Sequence, residues 1–164
     1  MKNNKQSGFT LIEILVVIGL IAILAAIVII AINPARQFAQ ARDTQRRSDV
    51  NAILNAVGQY IADNKGAVPT GITSDGTDYT ISSSGAKHVD LCTYLVANTS
   101  YLSALPTDPN TVPYAGASKG DAVNKANCGT YDTGYLISQD TAANGARITV
   151  KATGEITNNI SITR

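Results

Sequence analysis

The sequence predicts an α+β protein in which a long N-terminal α-helix packs on a small C-terminal antiparallel β-sheet head. Residues 9–32 form a run of 24 residues that contains a single charge, Glu13. A helical amphipathic pattern follows and stops near Gly66, and beyond it turn residues alternate with short β-branched stretches. The 164 residues are enough for one modest domain and an appendage.

The apolar run is long enough to cross a membrane. Its 24 residues, at 1.5 Å each, would reach about 36 Å, and a bilayer core is about 30 Å thick. We therefore expect a transmembrane helix over residues 9–33, after a short basic leader, residues 1–8. The run exceeds the apolar core of about 7–15 residues in a secretory signal, although residues 39–41 offer a competing cleavage pattern of the small-x-small type.

Two residues weaken this helix, Gly19 in its interior and Pro34 at its end. Pro34 removes one helical hydrogen bond and disfavours helical backbone at Asn33, so a kink or an unwound turn is expected there. The flanking charges disagree about orientation. Lys2 and Lys5 favour a cytoplasmic amino terminus, whereas the arginines on the far flank favour the reverse under the positive-inside rule. We expect the head to lie outside the cytoplasm.

Residues 34–66 predict the second, amphipathic half of the helix. Apolar side chains recur at i, i+3, i+4, i+7 and i+11, which places them in one stripe that suits packing on a sheet. The stripe consists of Val50, Ile53, Leu54, Val57 and Ile61. The opposite face carries Arg46, Asp49 and Gln59, and we expect the arginines of this half to lie on a solvated surface. Gly66 is expected to end the helix as its left-handed cap.

Residues 67–164 predict a globular head of short strands, turns and one short helix. Asn144-Gly145 is a hairpin signal, and residues 89–97 are expected to form the short helix. The predicted strands are residues 78–81, 135–138, 147–152 and 155–162.

Two cysteines, Cys92 and Cys128, make an even pair without a C-x-x-C motif, and the single His88 offers no zinc spacing. In a chain that crosses a membrane, such a pair predicts one disulfide in an oxidising compartment. Two buried reduced thiols would give the same sequence. The net charge of +1 makes no electrostatic case for nucleic acid, which stays an open partner. No catalytic or nucleotide-binding motif is present, so we expect neither an enzyme nor a cofactor.

The segment KQSGFTLIEILVVIGLIAIL, residues 5–24, closely resembles the amino terminus of type IV prepilins and type II secretion pseudopilins. The family pattern is a short basic leader that ends in Gly, then Phe-Thr-Leu-Ile-Glu, then an apolar helix. This chain matches the pattern residue by residue from Gly8 to Glu13. The resemblance covers residues 1–40 and implies the pilin fold, whose long helix packs on an antiparallel sheet.

The resemblance implies roles for the residues at the start of the run. A prepilin peptidase would remove residues 1–8 by cutting between Gly8 and Phe9 on the cytoplasmic side, and would methylate the new Phe9 amine. Glycine suits the cut because backbone without a Cβ can lie close in a protease cleft. In assembly, Glu13 of an incoming subunit would pair with the Phe9 amine of a subunit already in the filament. The alternatives are a Glu13 carboxylate that snorkels to the interface and pairing with the chain's own Phe9. Thr10 is expected only to pack within the helix or to hydrogen-bond to its backbone.

By this resemblance, the chain is expected to be the structural subunit of a type IV pilus-like filament that serves adhesion, twitching motility or DNA uptake. Its partners would be copies of itself, the prepilin peptidase, and an inner-membrane assembly platform with its ATPase. It would be a single-pass protein of the cytoplasmic membrane before assembly and part of a cell-surface filament afterwards. The alternatives are a pseudopilin of a type II secretion system and a membrane-anchored binding module that never polymerises.

A second segment, LPTDPNTVPY at residues 105–114, resembles the Asp-Pro and Pro-Tyr loop of major pseudopilins. In that family a calcium site lies in the nearby C-terminal loops. Asp121, Asp132 and Asp140 are the candidates for such a site here. Their spacing is not that of an EF-hand loop, and we expect no metal.

Overall fold

The computed structural model of the chain describes residues 8–98 and 101–164. The predicted leader, apart from Gly8, therefore lies outside the described residues. The chain divides into two compact units, one that ends at Phe38 and one that runs from Ala39 to Arg164. The fold class is α+β, as predicted, because two long helices precede a five-stranded sheet in the described residues.

Helix α1 spans Leu11–Ala31, slightly less than the predicted residues 9–33. Thr10 is its N-cap, and the chain leaves the helix at Ile32, where φ is −97° and ψ is 109°. The helix continues without interruption through Gly19. Its segment Leu11–Ile30 has a mean hydropathy of 3.2, and no part of the most apolar window is buried. By length and composition, α1 can therefore cross a bilayer.

The break that the sequence predicts before Pro34 is present. Asn33 lies outside both helices, and α2 spans Pro34–Asp63. Proline suits the first helical position because its missing N–H needs no partner there and its φ is already helical. The Asn33 side-chain oxygen accepts the Arg36 N–H at 3.3 Å, which is an N-cap contact.

Within the second unit, α2 buries the predicted apolar stripe against the head. The stripe residues Val50, Ile53, Leu54 and Val57 are each 2% exposed or less. Ile61 is partly buried at the margin of this core. Gly66 has a φ of 90°, and its N–H donates to the Ile61 carbonyl at 2.8 Å. Gly66 therefore acts as the left-handed cap that the sequence predicts.

Five strands form one sheet with the order β2-β1-β3-β4-β5. The strands are β1 Tyr79–Ser82, β2 His88–Val89, β3 Asp132–Gln139, β4 Ile148–Ala152 and β5 Ile160–Thr163. Three of the strand pairs are antiparallel, but β1 and β2 are parallel over two residue pairs. The sheet is therefore mixed rather than purely antiparallel, because a short loop through Gly85 (φ 144°) returns the chain beside β1 in the same direction.

Two predicted elements of the head are shorter in the structure. The strand predicted over residues 155–162 begins only at Ile160, because the N–H groups of residues 155–157 donate to the Asp43 carboxylate instead of to a strand. The helix predicted over residues 89–97 is a π-helical turn at Thr93–Ala97, since Val89 pairs in β2. The predicted hairpin between β3 and β4 is present, and Gly145 closes it with a φ of 88°.

The hydrophobic core joins the α2 stripe to residues of the sheet and of the connecting segments. Its largest fully buried members outside α2 are Ile81, Leu91, Leu95, Leu105, Tyr135 and Ile137. Cys92 and Cys128 form the predicted disulfide, with their Cα atoms 5.5 Å apart. The bond ties the turn that follows β2 to the loop that precedes β3.

Candidate functional site

Gly8 and Phe9 lie ahead of helix α1 in exposed, non-helical chain. Among the described residues, no atom comes within 4 Å of the position that a Cβ on Gly8 would occupy. The Phe9 side chain is 86% exposed. Backbone that is neither helical nor buried can enter a protease cleft without local unfolding. This geometry suits a cut between Gly8 and Phe9, which stays a prediction.

Thr10 and Glu13 form a capping box at the start of α1. The Glu13 carboxylate accepts the Thr10 N–H and the Thr10 hydroxyl, each at 2.8 Å, and Thr10 Oγ1 accepts the Glu13 N–H at 3.3 Å. The carboxylate therefore has its hydrogen bonds within its own helix start. A Thr-x-x-Glu spacing ahead of an apolar run is the sequence signature of this arrangement. It identifies Thr10 as a further member of the site, because its contacts with the Glu13 side chain go beyond the packing or backbone hydrogen bond expected for it.

Phe9 and Glu13 line the same shallow hollow on the surface of the first unit, among apolar side chains. The other lining residues are Ile12, Ile14, Val16 and Val17. The structure thus brings together the two residues that are predicted to act in assembly. A carboxylate among apolar side chains favours a cationic partner, because such a partner offsets the cost of holding the charge there.

A second polar site lies in the head, around Arg46 of α2, which is 2% exposed. Its Nε and Nη2 atoms donate to the two carboxylate oxygens of Asp108 at 2.6 and 3.1 Å, which is a bidentate pair. Its Nη1 atom donates to Asp43 at 2.8 Å and to Glu155 at 3.1 Å. We call Asp43, Arg46, Asp108 and Glu155 the Arg46 cluster.

Asp43 holds the loop that precedes β5. Its carboxylate accepts the backbone N–H groups of Glu155, Ile156 and Thr157 at 2.8, 2.9 and 3.1 Å. A Cβ on Gly154 would overlap the Thr157 carbonyl oxygen and would lie 3.1 Å from both Asp43 carboxylate oxygens. Glycine at position 154 therefore allows the close approach of the loop to the helix.

Glu155 and Asp108 have further partners outside the guanidinium of Arg46. Arg42 donates two hydrogen bonds to the Glu155 carboxylate. Asn110 donates its side-chain amide to Glu155 at 2.9 Å and its backbone N–H to Asp108 at 2.8 Å. The two loops are therefore joined to each other as well as to α2.

Asp49 lies one turn beyond Arg46 and is also buried, with 6% of its surface exposed. Its carboxylate accepts the hydroxyl of Tyr135 and the side-chain amide of Gln45, each at 2.8 Å. Burial raises the pKa of Asp49, and the two hydrogen bonds only partly offset that effect. Burial, followed by the hydrogen bond to Asp49, also raises the pKa of Tyr135, so the tyrosine stays a donor.

The charged groups of the cluster stabilise one another. Burial by itself would raise the pKa of Asp43, but three backbone N–H groups and Arg46 hold it well below its usual range. The hydrogen bond from Arg42, with help from Arg46, lowers the pKa of Glu155 to about 2. The hydrogen bonds that Arg46 donates to Asp108 lead the contacts that raise the pKa of Arg46. Asp43, Arg46 and Glu155 are therefore charged at neutral pH.

The burial of Arg46 corrects an expectation, because the sequence predicts a solvated surface for the arginines of α2. Asp49, which is predicted on the same side of the helix, is buried as well. The sequence does contain a signal, since Asp43, Arg46 and Asp49 recur every three residues along α2. This spacing lines up charges along one side of a helix. The loops that bury them come from positions 62 and 112 residues further along the chain, which no local pattern reveals.

The three aspartates considered for calcium each contact a separate local partner. Asp121 accepts the Ser118 N–H at 2.7 Å, and Asp132 accepts the Gly134 N–H at 2.9 Å. Asp140 pairs with Arg147 at 3.5 Å. Across residues 8–98 and 101–164, no group of three or more acidic, histidine or cysteine side chains is arranged to hold a metal ion. The donors therefore do not fit the calcium site that the resemblance implies.

The amino-acid sequence is similar to a known family motif and to known proteins, and the motif lies in the first unit. A family described as the prokaryotic N-terminal methylation motif matches residues 3–31. The chain is 42% identical over 64 residues to the type II secretion system core protein G of Pseudomonas aeruginosa, a match that covers 39% of this chain and 44% of that protein. It is 35% identical over 121 residues to the core protein G of Aeromonas hydrophila, with 73% of this chain and 78% of that protein covered. No solved structure matches the chain.

Proposed function

The chain belongs to the pilin-like family of the type II secretion system core protein G, and on this premise we propose that it is the repeating subunit of a pseudopilus, a short filament of a secretion system. A pilin-like filament subunit follows from the family itself. The secretion role is supported by the match to the Aeromonas protein, because 121 aligned residues are too many to lie within the N-terminal helices alone.

The single observation that carries the filament function is the exposure of α1. Among its large side chains, Leu11 is 84% exposed, Leu20 57% and Ile30 85%. Burying each such side chain would contribute about 1.5–3 kcal/mol, so the free helix in water would be strongly unfavourable. The helix needs a bilayer before assembly and copies of itself afterwards, because both surround it with apolar groups on every side.

The exchange between these two states requires a change of partner at Glu13. In the precursor, the capping box satisfies the Glu13 carboxylate through Thr10. A cut between Gly8 and Phe9 would create a cationic amine, and that amine on a neighbouring copy would be a stronger partner than a neutral hydroxyl. The carboxylate would then move from Thr10 to the Phe9 amine of the neighbour, which sets the register of the two helices.

The proposed role needs other proteins for its chemistry. A prepilin peptidase would cut the chain and methylate Phe9, and an inner-membrane platform with an ATPase would drive extraction and assembly. The chain is then the substrate of an enzyme and not an enzyme. It would be held in the cytoplasmic membrane by α1, with the head on the outer side, until it joins the filament.

The test of this function is deletion of the chain in its source organism, with complementation by the unmodified chain. Loss of exported proteins from the medium, without loss of surface filaments in electron micrographs of sheared cells, is the expected result. Normal export together with missing surface filaments would contradict the secretion role. Normal export and normal filaments would contradict both filament roles and favour a membrane-anchored binding module.

A type IV pilus, which would serve adhesion, motility or DNA uptake, is the second candidate. It is favoured by one observation in the head. Asp121, Asp132 and Asp140 are tied to separate local partners and do not form the calcium site that the resemblance associates with major pseudopilins. The deletion experiment separates the two candidates, because surface filaments and exported proteins are scored in the same cells.

A further inference from the structure

We infer that an internal cation, the Arg46 guanidinium, holds the loops of the head together, and that the fold of the head does not depend on calcium. A metal ion stabilises loops by drawing carboxylates from separate segments to one positive centre. Arg46 does the same with directional hydrogen bonds. Asp43 lies on α2 with Arg46, Asp108 lies in the loop before β3, and Glu155 lies in the loop before β5.

The three carboxylates have no free oxygen for a metal. Both oxygens of Asp43 accept backbone N–H groups, and Oδ1 also accepts Arg46. Both oxygens of Asp108 accept Arg46, and Oδ1 also accepts the Asn110 N–H. Both oxygens of Glu155 accept Arg42, and Oε1 also accepts Arg46 and the Asn110 amide. A metal ion at this place would have to displace hydrogen bonds that are already made.

The depth of the cluster makes the guanidinium necessary. The side chains of Arg46 and Asp43 are 3% and 6% exposed, and that of Asp108 is 11% exposed. Carboxylates buried this closely repel one another unless a positive charge lies between them. A planar guanidinium can donate hydrogen bonds to all three carboxylates because its N–H groups point in fixed, separate directions. The ammonium group of lysine does not have this arrangement of donors.

The first experiment measures thermal unfolding of the full chain in detergent micelles, in a chelator and in increasing calcium. The tyrosine signal in near-ultraviolet circular dichroism follows the head, because all seven tyrosines lie between Tyr60 and Tyr135 and the chain has no tryptophan. The expected unfolding midpoint is the same in both solutions. A midpoint that rises with calcium concentration would overturn the inference, since a ligand that binds only the folded state raises its stability.

The second experiment compares Arg46→Met and Arg46→Lys with a matched control, Arg47→Met. Arg47 is the exposed neighbour of Arg46, and its guanidinium donates to the Thr157 hydroxyl at the long distance of 3.4 Å. Arg46→Met should lower the unfolding midpoint by about 10 °C or more. Arg46→Lys should lower it by less, because lysine keeps the positive charge but lacks the planar arrangement of donors of the guanidinium. The control should unfold like the unmodified chain. An Arg46→Met variant that also unfolds like the unmodified chain would overturn the inference.

A third variant covers the case in which Arg46→Met does not fold. Glu155→Gln keeps the shape of the side chain and removes one charge from the edge of the cluster. The Glu155 side chain is partly exposed there, at 27%. The midpoint of this variant should fall in chelator and should not recover in calcium. Recovery in calcium would show that the head uses a metal site after all. These measurements use the unassembled chain, so their failure would leave the proposed filament function intact.

Discussion

Helix α1 and the part of α2 within the head treat charge and apolar surface in opposite ways. α1 leaves its apolar side chains exposed and carries one charge, Glu13, at an exposed end. α2 buries its apolar stripe and also buries three charged side chains, Asp43, Arg46 and Asp49. This difference shows that the apolar side chains of the first unit can be buried only by other molecules, whereas the second unit buries its own apolar core. Changes in the first unit should therefore alter processing and assembly, and changes in the second should alter folding.

The largest expected effect is that of Gly8→Ala on processing. No described atom lies near the position of the new Cβ, so any effect must come from contact with the peptidase. We expect unprocessed precursor to accumulate in the membrane, measured by mass spectrometry of the intact chain. Gly19→Ala is the matched control, because its Cβ also meets open space and it lies outside the predicted cut. Ordinary cleavage of the Gly8→Ala chain would refute the cut site.

Glu13→Val should come next, with an effect on assembly alone. The variant loses the only charge of the apolar run, so it should insert and be cut normally but yield few or no filaments. The measurement is the amount of chain recovered in filaments from lysed cells, relative to the amount of processed chain. Its head should unfold at the same midpoint as that of the unmodified chain, which sharpens the contrast between the units. Filament yields equal to those of the unmodified chain would rule out the pairing role of Glu13.

Removal of the disulfide should act on the head alone. The bond closes a separation of 36 residues, so a Cys92→Ala/Cys128→Ala double variant should lose about 3–4 kcal/mol of unfolding free energy. Urea unfolding followed by the tyrosine signal measures the loss, and the unmodified chain in reductant is the control. Cleavage at residue 8 should be unchanged. A double variant as stable as the oxidised chain would mean that the bond adds nothing to the head.

Acid should weaken the head within a defined pH window. The pKa values of Asp43 and Glu155 are lower in the folded chain than their usual values near 4, so both groups favour folding when they are ionised. Their contribution is complete above about pH 5 and falls as the pH drops toward about 2. Asp49 has a raised pKa and acts in the opposite sense, so it partly offsets the loss. A midpoint that stays constant from pH 5 to pH 2.5 would contradict this account.

Thr10→Val should have the smallest effect. The variant removes one of the two capping acceptors at the start of α1 and should cost roughly 1 kcal/mol of local helix stability. Amide exchange of the first helical turn, measured in micelles, should be faster than in the unmodified chain. Thr10→Ser keeps the hydroxyl and should exchange at the original rate. Equal exchange in both variants would show that the hydroxyl does not cap the helix.

Much of the fold follows from local patterns that can be read in the chain. The α2 stripe, the Gly66 cap and the break before Pro34 depend on residues within a few positions of one another. The strand at residues 155–162 was too long in the prediction, because alternation of side chains cannot show that Asp43 would take the backbone donors of its first half. The prediction of secondary structure was therefore wrong where a distant side chain, and not a neighbouring strand, accepts the backbone hydrogen bonds.

The sequence by itself determined the first unit, namely the apolar helix, its single charge and the Gly8-Phe9 motif. Those features are contiguous, and their meaning does not depend on what else is nearby. Only the tertiary structure decided that Arg46 is buried, because the loops with Asp108 and Glu155 must close over the helix before any solvent is excluded. Whether a charged side chain is solvated or becomes the centre of a buried cluster depends on which distant segments cover it.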